Sequence, residues 1–195
     1  MSLTIDNIRH YFETHQRRLL KDQYLIPAAV LIPLFERNGE LHVIFTKRTD
    51  DVEHHKGQVS FPGGTMEKTD ANSFETALRE AEEEIGIKKN VVEVIGAHDD
   101  FATPSGFLIT PVVAFLSKVP SFSLNTAEVT EVFDVPLSFF LDSRNELVEQ
   151  RVHDGKIIDI YRYHYGRFEI WGVTAAILRA FVQDFVLWAN SKKTL

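Results

Sequence analysis

One short stretch of the sequence carries several carboxylates at helical spacing. It runs Arg79-Glu80-Ala81-Glu82-Glu83-Glu84-Ile85-Gly86-Ile87. At about 100° per residue, Glu80, Glu83 and Glu84 share one face of a helix, and Glu82 points away from them. The opposite face is apolar and holds Phe74, Leu78, Ala81 and Ile85. Like charges three or four positions apart repel by roughly 0.2–0.5 kcal/mol per pair, so this face needs open water or a compensating cation.

The charge balance around this helix favours a bound cation over an ordinary solvated face. Between residues 64 and 87 the chain has seven acidic and two basic residues, a local net charge of −5 in a chain whose net charge is −7. A solvated helix face usually alternates the sign of its charges. Carboxylate oxygens suit Mg²⁺ or Mn²⁺, and Mg²⁺ is commonly shared between carboxylates and substrate phosphates. The helix therefore predicts a divalent metal site and a phosphorylated substrate, with a solvated acidic face as the alternative.

The composition restricts the chemistry that is open to the chain. Its 195 residues, 44% of them hydrophobic, are assigned to a single domain, 1–195. The absence of cysteine excludes disulfides, zinc–thiolate sites and thiol nucleophiles. No segment has the pattern of a signal peptide or of a continuous membrane span, and the pI near 5.6 gives no global basic surface for nucleic acid or anionic lipid. We expect a soluble cytoplasmic protein that binds neither nucleic acid nor membranes.

The hydrophobic pattern predicts the elements that must position these carboxylates. Helical spacing predicts an amphipathic N-terminal helix over about residues 4–20, in a segment assigned to 1–22, and a closing helix over 173–189. Asn38-Gly39 and Asp154-Gly155 lie between strand-like runs and predict two hairpins. The acidic helix is expected to begin near Ser73, as its cap, and to stop at Gly86.

Further strands are expected at 58–61, 91–95, 108–116 and 129–133, with a short helical turn at 137–141. The order of helix, strands, acidic helix, strands and helix predicts an α/β fold of the α+β type. In it a mixed sheet lies between helices, with an added N-terminal helix and C-terminal helix.

Two other groups of residues have side chains that could form a site. Glu53-His54-His55 has the composition of a metal cluster, but adjacent side chains of an extended segment point to opposite faces, which argues against a shared ion. The loop from Asp99 to Phe107 lacks the Gly-x-Ser-x-Gly sequence of a serine nucleophile. It is either a plain turn or, through Phe101, Ser105 and Phe107, a site that holds the base or carrier chain of a substrate.

Residues 64–87 resemble the signature of the Nudix hydrolases, Gly-x5-Glu-x7-Arg-Glu-U-x-Glu-Glu-x-Gly-U, where U is a bulky aliphatic residue. The second half matches at Arg79, Glu80, Glu83, Glu84, Gly86 and Ile87. The first half is one residue longer, because the first acid after Gly64 is Asp70 and eight residues separate it from Arg79. Strict spacing back from Arg79 would place Thr65 and Ala71 at the glycine and glutamate positions.

The segment before this box resembles a pattern of coenzyme A pyrophosphatases, Leu-Leu-Thr-x-Arg-Ser/Ala-x3-Arg-x3-Gly-x3-Phe-Pro-Gly-Gly. The chain has Ile44-Phe45-Thr46-Lys47-Arg48-Thr49, then Gly57 and Phe61-Pro62-Gly63-Gly64, at the same spacings. Glu53 stands where the pattern has arginine, which reverses a charge. The segments 103–106 and 170–175 are also similar to that group.

The resemblance implies a water attack on a nucleoside-linked diphosphate. It assigns one or more Mg²⁺ or Mn²⁺ ions to Glu80, Glu83 and Glu84, with the Gly64 carbonyl as a further ligand. The general base is left open among Glu83, Glu128 and Glu131, and we expect Arg79 to orient Glu83. The predicted substrate contacts are Arg48, Gly63, Gly64, Phe101, Ser105 and Phe107.

The leading functional hypothesis is hydrolysis of coenzyme A or acyl-coenzyme A to 3′,5′-ADP and a 4′-phosphopantetheine product. The charge reversal at Glu53 favours a second hypothesis, a diphosphatase for ADP-ribose, nucleotide sugars or dinucleotides. A third is a non-catalytic module that senses nucleotides. In each case the partner is a small nucleotide, and the oligomeric state is left open, with a homodimer among the alternatives.

Overall fold

The computed structural model describes residues 3–49, 57–119, 121–153 and 155–192. Its helices are α1 (Ile5–Thr14), α2 (Ser73–Ile85) and α3 (Gly172–Ser191). Its strands are β1 (Ile26–Arg37), β2 (Glu40–Arg48), β3 (Val59–Ser60), β4 (Gly63–Thr65), β5 (Val92–Ala97), β6 (Phe101–Ala102), β7 (Phe107–Leu116), β8 (Val129–Pro136), β9 (Glu146–His153), β10 (Lys156–Tyr165) and β11 (Phe168–Trp171). Short 3₁₀ turns cover Lys89–Val91, Leu137–Leu141 and Ser143–Asn145. Glu53, His54, His55 and Asp154, which were singled out in the sequence, lie outside the described residues.

A mixed sheet forms the centre of the fold. Its main strand order is β3-β2-β1-β7-β5, with β4 beside β1, β6 beside β7 and β8 beside β2. The strands β1 and β7 run parallel, from the pair Ile26–Phe107 to the pair Phe35–Leu116, and the other pairings are antiparallel. A second, three-stranded antiparallel sheet has the order β11-β10-β9. The prediction of an α+β fold with a mixed sheet between helices is confirmed.

The long strand β1 is buried on both faces because apolar residues fill nearly all of its positions. Ala29, Leu31 and Phe35 pack in a core cluster with α2, whereas Ile32 and Leu34 pack in a second cluster that includes residues of α1 and α3. The hairpin to β2 turns at Asn38 and Gly39, whose φ angles of 54° and 82° are those that an Asn-Gly turn adopts.

The helix α2 has nearly the predicted bounds but a different cap. The side chain of Asn72 accepts hydrogen bonds from the backbone N–H groups of Phe74 and Glu75, at 2.9 and 3.1 Å, so Ser73 is the first helical residue and not the cap. Gly86 ends the helix at φ 75°, in the left-handed region that favours glycine.

The predicted N-terminal helix is too long, because α1 stops at Thr14. Beyond it, the backbone N–H groups of Arg18 and Leu20 donate to the carboxylates of Asp99 and Asp100, at 2.9 and 3.0 Å. The Arg17 guanidinium also pairs with Asp100. These long-range polar contacts replace the helical hydrogen bonds that the local pattern predicted. The short strands β4, β6 and β11 were not predicted as such.

Within the described ranges, α3 is the one helix that is long and apolar enough to cross a membrane by length and composition. A core helix has the same properties. Leu178, Phe181 and Phe185 of α3 are buried in the core cluster that also contains residues of α1 and β2, and Arg179 donates to Glu146 at 2.8 Å. The helix α3 therefore gives no evidence for a membrane.

Candidate active site

The two glycines of β4 bring α2 close to the centre of the sheet. Gly63 and Gly64 pair with Val30 and Ala29 of β1. A Cβ atom on Gly63 would lie 2.4 Å from the carbonyl oxygen of Ala29, and one on Gly64 would lie 2.4 Å from Oε1 of Glu80. The first contact is with rigid backbone, so a side chain cannot be accommodated there. The Glu80 carboxylate therefore lies directly against the backbone of Gly64.

The guanidinium of Arg79 contacts several acidic side chains of this site. Its Nη1 atom lies 2.9 Å from both Glu80 Oε1 and Glu83 Oε2, which are carboxylates on one face of α2. Its Nη2 atom donates to the carbonyl of Thr65 and to Asp70, each at 3.0 Å. The fixed fork of the guanidinium thus orients Glu80 and Glu83 together. The predicted contact with Glu83 is present, and the contact with Glu80 adds to it.

Asp70 is a site residue that the sequence left in doubt. Its side chain is buried and accepts hydrogen bonds from Arg79 and from the Thr76 hydroxyl, the latter at 3.0 Å. The Arg79 guanidinium beside it lowers the pKa of Asp70 to about 2. The backbone turn from Glu67 to Asp70, with a 3.1 Å N–H to carbonyl contact, absorbs the extra residue of the box. The only sequence signal was the presence of an acid one position from the expected place.

Glu84 is the buried acid of the site. Its side chain is 2% exposed, and Oε1 accepts from Arg48 Nη1 at 3.3 Å. Oε2 is buried and has no hydrogen-bond donor. Burial raises the pKa of Glu84 to about 8, and the charges of Glu80 and Glu128 add to the rise, whereas Arg48 and the Gly63 N–H oppose it. A buried carboxylate oxygen without a donor is a costly feature that a metal ion would satisfy.

Glu80 and Glu128 complete the acidic cluster. Burial raises the pKa of Glu80, Arg79 lowers it, and the charges of Glu83 and Glu128 raise it further. The backbone N–H of Asn125 donates to the carbonyl of Glu84 at 2.9 Å, which brings the segment that carries Glu128 to the end of α2. Asn125 holds it there by donating to its Oε1 atom at 2.9 Å.

Two other glutamates, the candidate base Glu131 and the predicted solvent-exposed Glu82, lie away from this cluster. Glu131 forms an ion pair with Arg167. Its neighbour Val132 packs in the core cluster that holds α2, whereas Phe133 packs in the other cluster. There the ring centroids of Phe133 and Phe168 are 3.6 Å apart. Glu131 therefore lies with Arg167 and not with the acids of α2. Glu82 is exposed, on the side of α2 away from the cluster, as predicted.

The loop between β6 and β7 forms a compact turn at the start of β1. Ser105 is exposed and lies 3.0 Å from the hydroxyl of Thr103, which also accepts from the Phe107 N–H. Phe101 pairs with Ile109, and Phe107 pairs with Ile26. Gly64 and Thr65 pair with the adjacent positions 29 and 28 of β1 on its other side. The loop and the glycines therefore flank the same end of one strand.

The oxygen atoms of the acidic cluster suit a divalent metal ion, although they are not arranged as a complete set of metal ligands. Among the residues that the structure describes, no three acidic or histidine side chains already converge on one point. Instead, Arg79 pairs with Glu80 and Glu83, and Arg48 pairs with Glu84, so these carboxylates are directed at guanidinium groups. The oxygen donors of Glu80, Glu84 and the Gly64 backbone, with the donor-free Glu84 Oε2, suit Mg²⁺ or Mn²⁺.

Comparison with known proteins identifies the class. The NUDIX domain family matches residues 25–164 of the chain. NudL, a Nudix hydrolase of Enterobacter sp., is 36% identical over 181 residues, which cover 91% of this chain and 92% of the Enterobacter protein. The Arabidopsis thaliana protein Nudix hydrolase 15, mitochondrial, is 41% identical over 158 residues, which cover 77% of this chain and 55% of the plant protein. The chain belongs to the Nudix family and is a pyrophosphohydrolase.

Solved structures agree on the fold. An Ap4A hydrolase from C. elegans matches with a TM-score of 0.56 and 12% identity, covering 84% of this chain and 98% of that one. A MutT protein from Methanosarcina mazei Go1 matches with a TM-score of 0.52 and 19% identity, covering 84% and 94%. Nudix hydrolases generally use divalent metals, which agrees with the donor set of α2.

The raised pKa of Glu84 predicts a pH-dependent stability of the metal-free protein. Below the ordinary pKa of 4.5, Glu84 is protonated in both the folded and the unfolded protein, and the protein has its full stability. As the pH rises towards about 8, the unfolded protein loses this proton first, so the folded state becomes less stable. Each pH unit in this window lowers the free energy of unfolding by up to about 1.4 kcal/mol. Urea unfolding in EDTA at pH 5, 6, 7 and 8 measures the slope, and Glu84→Gln should flatten it. An equal slope in the variant would contradict the assignment.

Proposed function

We propose that the protein hydrolyses the pyrophosphate of coenzyme A or acyl-coenzyme A, releasing 3′,5′-ADP and a 4′-phosphopantetheine product. One observation carries this proposal. The residues of the coenzyme A pyrophosphatase pattern in the described part of the chain lie on or next to β2, β3 and β4, and the end of β2 brings Arg48 to the buried Glu84 of α2.

The hairpin of β2 and β3 is held by its own pattern residues. The Thr46 hydroxyl donates to the carbonyl of Ser60 at 3.2 Å, and the Arg48 N–H donates to the carbonyl of Gln58 at 2.9 Å. Beyond β3, the carbonyl of Pro62 accepts from the Leu31 N–H at 2.8 Å, which fixes the start of β4. The spacing between Arg48 and the two glycines therefore positions a cation beside the acidic cluster.

A cleft on the other face of β2 supports a substrate with a further phosphate. It has a volume of about 340 Å³, and Lys47, Arg167, Phe168 and Trp171 are among the residues that line it. Arg167 is paired with Glu131, whereas Lys47 has no ion-pair partner within the described ranges. Coenzyme A carries a 3′-phosphate that ADP-ribose, nucleotide sugars and simple dinucleotides lack. A free lysine beside an aromatic wall suits such a group.

The mechanism follows from the positions of these side chains. A water oxygen bonds to phosphorus, the bond to the leaving phosphate breaks, and the proton of the water passes to a carboxylate. Glu128 is the base we propose, because Asn125 donates both to its side chain and to the backbone carbonyl of Glu84. Arg48 binds a substrate phosphate. A divalent cation held by Glu80, Glu84 and the Gly64 carbonyl would neutralise charge on the phosphates and lower the pKa of water.

Which of Mg²⁺ and Mn²⁺ serves, and which diphosphate is cleaved, are decided by one hydrolysis assay. With either ion, we expect turnover of coenzyme A and acyl-coenzyme A to exceed that of ADP-ribose, dinucleotides and nucleotide sugars. Preferred turnover of ADP-ribose, a dinucleotide or a nucleotide sugar would replace the proposed substrate.

The predicted cytoplasmic location stays a prediction.

Variants of α2 test the metal site in the same assay. Loss of a metal's charge stabilisation, worth several kcal/mol, should lower kcat of Glu84→Gln more than about 100-fold. The matched control is Glu82→Gln, which removes an exposed charge two residues away and should stay within about twofold. Equal activity of the two variants would contradict the assignment of Glu84.

Replacement of the proposed base tests the chemical step. Glu128→Gln keeps the hydrogen-bonding size of the side chain but removes its proton acceptor, so kcat should fall by about 10²–10⁴-fold with little change in KM. Glu131→Gln is the control, since Glu131 lies on Arg167. A larger loss in Glu131→Gln or in Glu83→Gln would transfer the role to that residue.

The cleft predicts a substrate-dependent effect of Lys47→Gln. Loss of a charge-assisted contact should raise KM for coenzyme A about tenfold, with kcat unchanged. KM for dephospho-coenzyme A, which lacks the 3′-phosphate, should not change. Lys118→Gln, at an exposed position, controls for net charge. An equal effect on both substrates would show that Lys47 does not contact the 3′-phosphate.

A further inference from the structure

The strand β9 has one edge without a strand partner in the part of the chain that the structure describes. It lies at the end of the three-stranded sheet and pairs only with β10. A free edge presents a row of backbone N–H and C=O groups on which another strand can pair. This edge does not belong to the acidic site on α2.

The exposed side chains of this hairpin are unusually apolar for an edge. Leu147 and Val148 are each 50% exposed, Val152 is 75% exposed and Ile157 on β10 is 69% exposed. In the register of the hairpin, Val152 lies opposite Ile157 and Val148 lies opposite Tyr161. Two apolar cross-strand pairs therefore lie on one face of the hairpin, on either side of the hydrogen-bonded pair Gln150–Asp159, while Leu147 lies on the other face.

The sequence of β9 is complementary to itself when it is read in the opposite direction. Around Gln150 it runs Leu147-Val148-Glu149-Gln150-Arg151-Val152-His153. In an antiparallel pairing of two copies centred on Gln150, Val148 of one copy would meet Val152 of the other. Glu149 would meet Arg151 in the same way. Such a pairing has two-fold symmetry, as a closed dimer requires.

We propose that two copies of the chain associate through β9, with the two-fold axis at Gln150. The two three-stranded sheets then form one six-stranded sheet. One row across it reads Ile157, Val152, and then Val148 and Tyr161 of the second copy, so the apolar side chains of the two copies become cross-strand neighbours. Cross-strand apolar and opposite-charge pairs of this kind stabilise antiparallel sheets.

The charges select this register and this partner. Within one chain, Arg151 Nε already lies 2.9 Å from Glu149 Oε1, because the two residues share a face of β9. In the dimer these two and their symmetry mates form a group of four charges in which each neighbour has the opposite sign. A shift by two residues would place Glu149 opposite Glu149 or Arg151 opposite Arg151, which is destabilising.

The first test is the molar mass in solution at several concentrations, by light scattering after size exclusion. We expect twice the chain mass of 22.3 kDa. Glu149→Arg brings four arginines together and should raise the dissociation constant at least tenfold. The double variant Glu149→Arg with Arg151→Glu restores opposite signs and should restore the dimer. Neither residue belongs to the acidic site, so hydrolysis by all variants reports that the fold is intact.

The second test uses the absence of cysteine, which makes a single introduced thiol unambiguous. Gln150→Cys places two thiols across the axis and should give a disulfide-linked dimer under mild oxidation. Asp159→Cys, opposite Gln150 on β10 and one strand further from the axis, should not. A monomer at every concentration, a mass above that of a dimer, or a dimer that Gln150→Cys does not cross-link would each overturn the proposal.

Discussion

The guanidinium of Arg79 is the contact on which the geometry of the site depends. It reaches Asp70 and the Thr65 carbonyl on one side and Glu80 and Glu83 on the other. One cation therefore joins the turn after β4 to the first acids of α2. Because Glu80 also lies against Gly64, the same contact fixes the distance between the helix and the sheet. Removal of this charge would leave the carboxylates to repel one another in a partly buried place.

Glu84 shows what this arrangement costs the free protein. Arg48 reaches only one of its oxygens, and the buried second oxygen has no donor. An unsatisfied buried carboxylate destabilises the fold, and here it lies at the proposed cation site. The acids of α2 repel one another, and one buried oxygen of Glu84 lacks a donor. A cation bound between the acids would offset both. The acidic face of α2 therefore lowers the stability of the free protein, and the proposed cation would remove that cost.

Local sequence patterns predicted the helix and hairpin of the site, whereas contacts between distant residues determine its other features. Helical spacing identified the shared face of Glu80, Glu83 and Glu84, and Asn38-Gly39 identified a hairpin, because both depend on neighbours in sequence. The role of Asp70 and the end of α1 at Thr14 depend on partners far along the chain, so no spacing could show them. The choice between Glu128 and Glu131 was equally hidden. A register shift between β2 and β8, at Lys47 and Arg48, places them in different surroundings.

The end of β2 explains how one strand can serve both parts of the proposed substrate. Successive side chains of a strand point to opposite faces, so Arg48 meets Glu84 on the face of α2 while Lys47 lines the cleft near Trp171. The scissile pyrophosphate and a remote phosphate would then be bound by adjacent residues on one rigid element. The hydrogen bonds from Thr46 and from the Arg48 N–H to β3 fix the backbone from which both side chains extend. Because the two side chains extend to opposite faces of β2, they would favour a substrate whose two phosphate groups are separated by about the thickness of one strand.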